Sequence, residues 1–208
     1  MTTKGGFNDL GVLFEYEPAT GICTKKLDFA GATNGSYPNG SLIQASNGKL
    51  YGMTYQGGVN NRGVIFEFDP ITNLYSKKYD FAGTINGSYP RGTLMQNSNG
   101  KLYGVTSIGG VNNLGVLFEF DPITSIFTKK IDFDGTSKGS SPCGELKQAS
   151  NGKLYGMTET GGANNLGILY EFDLASSIFI KKLDFAGTSN GRTPVSSLIQ
   201  TSTGKLYG

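Results

Sequence analysis

Gly48-Lys49-Leu50-Tyr51-Gly52 is the stretch that decides the fold, because the same five residues return at a fixed distance along the whole chain. Further copies lie at Gly100–Gly104, Gly152–Gly156 and Gly204–Gly208, so that four units of 52 residues account for all 208 residues. A period of this size is typical of propellers, solenoids and arrays. The sequence therefore predicts one repeat domain, residues 1–208, with units 1–52, 53–104, 105–156 and 157–208.

Each unit has the pattern of four antiparallel strands. In the second unit, Thr93–Ser98 and Lys101–Thr106 are strand-like and flank Asn99-Gly100, a hairpin signal in which both turn residues are expected to take positive φ. A second pair of strands, within Gly63–Asp69 and Leu74–Phe81, turns at Pro70–Asn73. No segment shows helical periodicity over ten or more residues, so the predicted class is all-β.

One four-stranded sheet cannot bury both of its faces, so neighbouring sheets must stack. We therefore predict a β-propeller of four four-stranded blades, closed by pairing strands from Gly11–Phe29 with strands from Ser197–Gly208. A four-bladed ring is small, and two alternatives stay open. In the first, the chain is half of an eight-bladed ring that closes as a homodimer. In the second, it is a fragment of a longer array.

The turn at Pro70–Asn73 also predicts a charge pair. It sets Phe68 opposite Tyr75 and Glu67 opposite Ser76, which leaves Glu67 diagonal to Lys78 on one face of the sheet. We expect an ion pair between these two strands in every unit, at Glu15/Lys26, Glu67/Lys78, Glu119/Lys130 and Glu171/Lys182.

Composition excludes several classes of function. The net charge of +2, from 18 basic and 16 acidic residues, does not indicate nucleic-acid binding, and no apolar run is long enough to span a membrane. The first residues lack a signal-peptide pattern. Cys23 and Cys143 occupy different positions in their units and are expected to be free thiols.

The chain has no histidine, which removes Ser-His-Asp catalysis and His-bearing metal centres. No catalytic residue, metal ion or cofactor is expected. A carboxylate-dependent glycan-active enzyme is a less favoured alternative, because an active site should break the fourfold symmetry and few acids do so: Asp9, Asp134, Glu145 and Glu159.

Loop lengths predict where a ligand binds. The loops at 56–62 and 82–92 are longer than the turns and should lie together on one face, which we call the long-loop face. The repeated Asn side chains there either bind a ligand or hold turns, and Tyr and Arg at unequal positions suit recognition. The candidate ligand-binding residues are Asn34, Tyr37, Asn39, Asn60, Asn86, Tyr89, Arg91 and Asn112.

A repeated glutamine is expected on the innermost strand of each unit. These side chains are predicted to line a central channel, either as structural groups or as contacts to a small molecule: Gln44, Gln96, Gln148 and Gln200.

The residue pattern resembles two repeat families. Leu50-Tyr51, then Gly57-Gly58, then Phe68-Asp69-Pro70 resemble a Kelch repeat, although the Kelch Trp is absent and Tyr75, Phe127 and Phe179 stand near its place. Leu42–Thr54 followed by Gly57–Phe66 is more similar to the GloVer repeat of Gloeobacter and Verrucomicrobia. That resemblance implies a propeller-like domain of an exported or cell-surface bacterial protein, with no established chemistry.

Together these observations predict a non-catalytic binding module with a glycan or protein ligand on the long-loop face. The alternative is a purely structural repeat scaffold that binds no small ligand.

Overall fold

The computed structural model describes all 208 residues and contains strands and turns but no helix. Three complete sheets follow one another along the chain, with a two-stranded hairpin at each end. The N-terminal hairpin consists of β1 (Val12–Glu17) and β2 (Ile22–Asp28). The C-terminal hairpin consists of β16 (Ile199–Gln200) and β17 (Leu206–Tyr207).

The complete sheets lie between these hairpins. The first contains β3 (Ser36–Pro38), β4 (Ile43–Gln44), β5 (Leu50–Gln56), β6 (Val64–Asp69) and β7 (Leu74–Asp80). The second contains β8 (Met95–Gln96), β9 (Leu102–Thr106), β10 (Val116–Phe120) and β11 (Phe127–Asp132). The third contains β12 (Ser140–Gln148), β13 (Leu154–Thr160), β14 (Ile168–Asp173) and β15 (Ile178–Asp184).

Strand order follows chain order, as the repeat predicts. The second sheet runs β8-β9-β10-β11 and the third β12-β13-β14-β15, and all pairs are antiparallel. In the first sheet β3 and β4 both pair with β5. Phe68 faces Tyr75 and Glu67 faces Ser76, which confirms the predicted register.

The turn prediction at Asn99-Gly100 is wrong in detail. Gly100 takes φ of 81°, but Asn99 is not in the left-handed region. The Gly100 N–H donates to the Asn97 carbonyl and the Asn97 N–H donates to the Lys101 carbonyl. The loop is thus one residue longer than a two-residue hairpin, and the single glycine supplies the positive φ that closes it.

Large aromatic side chains form the layers between successive sheets. Phe29 meets Phe66 edge to face at 5.6 Å between ring centroids, and Phe81 meets Phe118 in the same way at 5.5 Å. Phe66 and Phe118 are fully buried. Each layer joins the last strand of one unit to the third strand of the next, so no unit completes its core alone.

The predicted closure of the ring within one chain is wrong. β1–β2 and β16–β17 are separate two-stranded sheets without hydrogen bonds between them. One edge strand of each hairpin is therefore unpaired in this structure. Phe14 in β1 is consequently 39% exposed.

The inner edges of the sheets approach each other closely. A Cβ atom on Gly92 would lie 2.0 Å from the Gly144 carbonyl oxygen, so this contact admits only glycine. The Ser41 N–H donates to Thr93 Oγ1, and the Glu145 N–H donates to Ser197 Oγ, each across one unit. We call this edge the inner rim. The structure also contains no helix with the length and apolarity of a membrane span.

Candidate functional site

A buried carboxylate at the centre of each complete sheet holds three strands together. In the second sheet Glu119 is 8% exposed and accepts hydrogen bonds from Lys101 Nζ at 2.9 Å and Tyr103 Oη at 2.6 Å. Lys101 uses Oε1 of Glu119 and Tyr103 uses Oε2, and Lys130 Nζ also lies 3.2 Å from Oε2. Lys101 and Tyr103 belong to the repeated Gly-Lys-Leu-Tyr-Gly, so this motif builds the sheet interior.

The predicted Glu–Lys pair is present in all four units. The Nζ–Oε distances are 3.2 Å for Lys26–Glu15, 3.7 Å for Lys78–Glu67, 3.2 Å for Lys130–Glu119 and 3.4 Å for Lys182–Glu171. We call Glu67, Glu119 and Glu171 with their Lys and Tyr partners the framework network.

The framework network keeps its carboxylates charged. Burial raises the pKa of Glu119, but hydrogen bonds from Tyr103 and Lys101 and the charge of Lys130 outweigh that effect and lower it. In the third sheet, hydrogen bonds from Lys153 and Tyr155 lower the pKa of Glu171 to about 2. These groups are fully paired and serve the fold.

Most repeated polar residues of the long loops also have structural partners. Asp80 Oδ1 accepts the Val59 N–H at 2.8 Å, and Asn60 Nδ2 donates to the Phe81 carbonyl at 3.0 Å. Asn112 does the same for the Phe133 carbonyl. Asn34 Oδ1 accepts the Ala30 N–H at 2.6 Å. Asn86 Oδ1 accepts the equivalent N–H of Ala82. These contacts hold the ends of the outer strands and their loops.

The repeated glutamines join the inner hairpins. Gln96 Oε1 accepts the Ser46 N–H, and its Nε2 donates to Ser46 Oγ and to the Gly100 carbonyl. Gln200 makes the same contacts with Ser150 and Gly204. Gln44 and Gln148 donate within their own hairpins. The glutamines thus tie hairpins to themselves or to the neighbouring sheet.

Unequal residues meet on the long-loop face at the inner rim. Tyr55 and Tyr89 have ring centroids 5.1 Å apart, and the Arg91 guanidinium lies 5.5 Å from the centroid of Tyr55. Arg91 Nη1 is 3.6 Å from Glu159 Oε2, and both side chains are partly exposed, at 43% and 31%. We call Tyr55, Tyr89, Arg91 and Glu159 the rim cluster.

Three successive sheets contribute to the rim cluster. Tyr55 lies near the end of β5, Tyr89 and Arg91 precede β8, and Glu159 lies near the end of β13. The other units place different residues at the Tyr55 and Glu159 position (Thr3 and Ser107) and at the Arg91 position (Asn39, Cys143 and Val195). The cluster therefore exists once, although the scaffold repeats.

The backbone around the cluster is fixed. Tyr89 takes φ of 56°, and the equivalent Tyr37, Ser141 and Thr193 take nearly the same value, so this conformation belongs to the repeat. The Tyr89 N–H donates to the Arg62 carbonyl, and Ser107 donates through both N–H and Oγ to the Tyr89 carbonyl. The Tyr89 ring is thus presented from a rigid segment.

Charge within the cluster is balanced. The Tyr55 hydroxyl raises the pKa of Arg91, and Glu159 adds to this effect. Cys143 is half-buried beside the cluster, with Sγ 3.1 Å from the Pro194 carbonyl oxygen, and burial and the nearby Glu159 raise its thiol pKa to about 11. Cys143 is therefore a neutral thiol, and both cysteines are free.

Of the predicted ligand residues, the structure brings Tyr89 and Arg91 together. Tyr37 and Asn39 occupy the equivalent places one unit earlier, without a guanidinium or a carboxylate partner. Sequence reasoning missed Tyr55 as a site residue and named Glu159 only as an acid that breaks the fourfold symmetry. The signal was there, since both residues break the repeat at the same position in their units.

Three cavities are present, and none is lined by the rim cluster. Two are equivalent polar cavities beside the short turns, on the face opposite the long-loop face. The one lined by Lys101 has a volume of about 110 Å³. The one lined by Lys153 has a volume of about 390 Å³. Both lysines also pair with framework carboxylates. The third cavity lies against the C-terminal hairpin.

The symmetry-breaking acids do not meet in a cavity. Asp9 accepts the Gly5 N–H, and Asp134 accepts the N–H groups of Ser137 and Lys138, so both hold loops. Burial raises the pKa of Glu145. No group of three or more metal-ligating side chains is found.

The chain belongs to the Gloeobacter/Verrucomicrobia repeat family, whose model matches residues 1–147. No curated protein sequence matches it significantly. Among solved structures it is similar to the extracellular domain of the putative hybrid two component system BT4673 from B. thetaiotaomicron, with a TM-score of 0.67 at 15% identity over 95% of this chain and 23% of that chain.

Two further structures have the same fold. The extracellular domain of the putative hybrid two component system BT3049 from B. thetaiotaomicron has a TM-score of 0.59 at 21% identity over 99% of this chain and 22% of that chain. TolB from Acinetobacter baumannii has a TM-score of 0.54 at 14% identity over 93% of this chain and 41% of that chain. The chain thus spans less than half the length of each of these structures.

Proposed function

We propose that this chain is a non-catalytic binding module of an extracellular bacterial protein, and that its ligand binds at the rim cluster on the long-loop face. The observation that carries the proposal is that four unequal residues from three sheets converge there, whereas the repeated polar residues are used by the scaffold. Residues that build the fold must recur in every unit, but residues that recognise one ligand need occur once.

The chemistry of the cluster suits a glycan. The two partly exposed tyrosine rings offer apolar faces with a hydroxyl at the edge, and the guanidinium of Arg91 offers several N–H donors. Glu159 supplies an acceptor beside those donors. A sugar presents apolar C–H faces and hydroxyl groups that both donate and accept, so this set of groups matches it.

The architecture supports the same reading. We infer a β-propeller with Kelch-like repeats from the succession of antiparallel sheets along the chain, and similar structures include extracellular domains of putative hybrid two component systems. The extracellular location of those similar structures supports the same location in our proposal. Propellers present loops from several blades around one rim, which is where the cluster lies.

A glycan array probed with the purified chain tests the proposal. The matched control is Tyr89→Ala, which truncates one ring of the cluster and leaves the backbone hydrogen bonds of residue 89 in place. We expect at least one glycan class to bind the parent chain and to lose most of its signal with Tyr89→Ala. Equal signals from both chains would contradict the proposed site.

A structural scaffold without a small ligand is the second candidate. It is favoured by the framework network and by the amide contacts, which engage most repeated polar residues in building the sheets. If the parent chain binds no glycan on a broad array, the scaffold is favoured. Release of reducing sugar from a bound glycan would instead favour a carboxylate-dependent enzyme.

A further inference from the structure

Arginine is used differently from lysine in this chain. Every basic residue that recurs in all four units is a lysine, and the three arginines occur only where the units differ. Arg62 stands where the other units have leucine, and Arg192 stands where they have serine. Arg91 stands where each other unit has a different residue without a positive charge. The repeated scaffold is therefore built without arginine.

Arg62 occupies a leucine site of the scaffold. In two other units Leu10 and Leu114 are partly buried at this position and pack against the core. The end of each leucine lies beside a repeated glycine, because a Cβ atom added there would be 3.6 Å from Leu10 Cδ1 or 3.4 Å from Leu114 Cδ1. In the second unit, a Cβ atom on Gly83 would be 3.0 Å from Arg62 Nη1. The Arg62 guanidinium thus lies on the Gly83 backbone, where other units place a leucine methyl group.

This guanidinium has no partner within the chain. Arg62 is partly buried, but Arg91 is the one arginine with a carboxylate within ion-pair distance, and the Arg62 side chain makes no hydrogen bond. Moving a charge out of water without a counter-charge costs free energy, so leucine would serve the fold better at this position. An anion from a ligand would offset that cost through charge-assisted hydrogen bonds.

Arg62 is also bonded to the rim cluster. Its carbonyl oxygen accepts the Tyr89 N–H at 2.9 Å, so the residue with the unpaired guanidinium is held against the residue that presents one of the two rings. Within the cluster Arg91 is balanced by Glu159. Arg62 adds a positive charge beside the cluster that no carboxylate of the chain pairs with.

We propose that the ligand of the rim cluster is an anionic glycan, and that Arg62 binds its acidic group while Tyr55 and Tyr89 contact its sugar rings. This inference rests on the proposed function and adds the charge of the ligand to it. The acidic group is a uronic-acid carboxylate or a sulfate ester, because the planar guanidinium presents paired N–H donors that match two oxygens of either group.

An array that holds each glycan in an acidic and a neutral form tests this inference. Uronic-acid oligosaccharides are printed beside their carboxyl-reduced counterparts, and sulfated galactan oligosaccharides that lack uronic acid are printed beside their desulfated counterparts. We expect the parent chain to bind the acidic form of at least one pair about tenfold more tightly than the neutral form. The kind of pair that shows this preference identifies the acidic group.

Arg62→Leu is the decisive variant, because it restores the residue of the other three units and should not lower the free energy of unfolding. We expect it to lose about tenfold in affinity for the preferred acidic glycan and to bind the neutral form as the parent chain does. Arg192→Ser is the matched control. It also restores the repeated residue and removes one positive charge, but in a different sheet, and it should bind both forms as the parent chain does.

Two results would overturn the inference: equal affinity of the parent chain for acidic and neutral forms, or an Arg62→Leu variant that binds the acidic glycan as tightly as Arg192→Ser. If neutral glycans bind equally well and lose their signal with Tyr89→Ala, the proposed site stands and the charge preference alone fails. If an acidic glycan responds to Arg62→Leu but not to Tyr89→Ala, Arg62 binds an anion and the rim cluster is not the site. A chain that binds no glycan in either form contradicts both proposals.

Discussion

Glu119 and Glu159 are both carboxylates paired with a cation, yet they sit in opposite environments. Glu119 is buried at the centre of a sheet and has three donors from two flanking strands. Glu159 is partly exposed at the inner rim and has one guanidinium partner at 3.6 Å. The first arrangement recurs in every complete sheet, and the second occurs once.

This difference separates building from recognition. A buried carboxylate that already has three donors is costly to disturb and is shielded from a ligand. An exposed pair contributes little to stability, because water screens it and its side chains remain mobile. Its donors and acceptors therefore remain available to bind something else.

Removing the framework carboxylate should have the largest effect. Glu119→Ala leaves the Tyr103 hydroxyl and two lysines without their acceptor, and we expect a loss of about 2–4 kcal/mol in the free energy of unfolding. The control is Glu159→Ala, with an expected loss below about 0.5 kcal/mol. Denaturant titration measures both, and equal losses would erase the distinction between the two sites.

Acid should weaken the framework by the same mechanism. The pKa of Glu171 falls from the ordinary 4.5 to about 2 in the folded chain. A lowered folded-state pKa means that the stabilisation is complete above pH 4.5 and is lost as pH falls towards 2.

Thermal unfolding between pH 6 and 2 tests this expectation. The melting temperature of the parent chain should drop below pH 4.5, and Glu171→Gln should show a shallower drop from a lower starting value. A parallel profile in the two chains would show that Glu171 does not titrate in this range.

A hydroxyl deletion should have a smaller effect. Tyr103→Phe removes one donor to Glu119 in a fully buried ring, and we expect a loss of about 1–1.5 kcal/mol in the free energy of unfolding. Tyr55→Phe removes a hydroxyl from the rim cluster and should cost less than about 0.5 kcal/mol. Chemical denaturation measures the free energy of unfolding of both variants. A larger loss for Tyr55→Phe than for Tyr103→Phe would contradict the expected order.

The sequence predicts the sheets well, because turn residues and the alternation of side chains along each strand determine the pairing of neighbouring strands. The period of 52 residues, the turn at Pro70–Asn73 and the alternation of faces were enough to predict the register of Glu67 opposite Ser76 and its pair with Lys78. The Tyr51 and Lys49 contacts to Glu67 were not predicted, since they depend on the register of a second strand across a longer loop.

Ring closure and the site lie beyond such local rules. Whether β1 pairs with β17 depends on how all the sheets are arranged relative to one another, and the pattern within one unit does not contain that information. Arg91 and Glu159 lie in different units and meet because β8 and β13 belong to neighbouring sheets. Comparing the units with one another did identify both as unequal, so that comparison is the useful guide to function.

Arg91→Ala tests the central claim most directly, with stability and glycan binding measured on the same protein. We predict a change below about 0.5 kcal/mol in the free energy of unfolding, together with at least a tenfold loss of affinity for the best glycan of the array. Unchanged affinity, or a loss of stability comparable to that of Glu119→Ala, would show that the rim cluster builds the fold and does not bind.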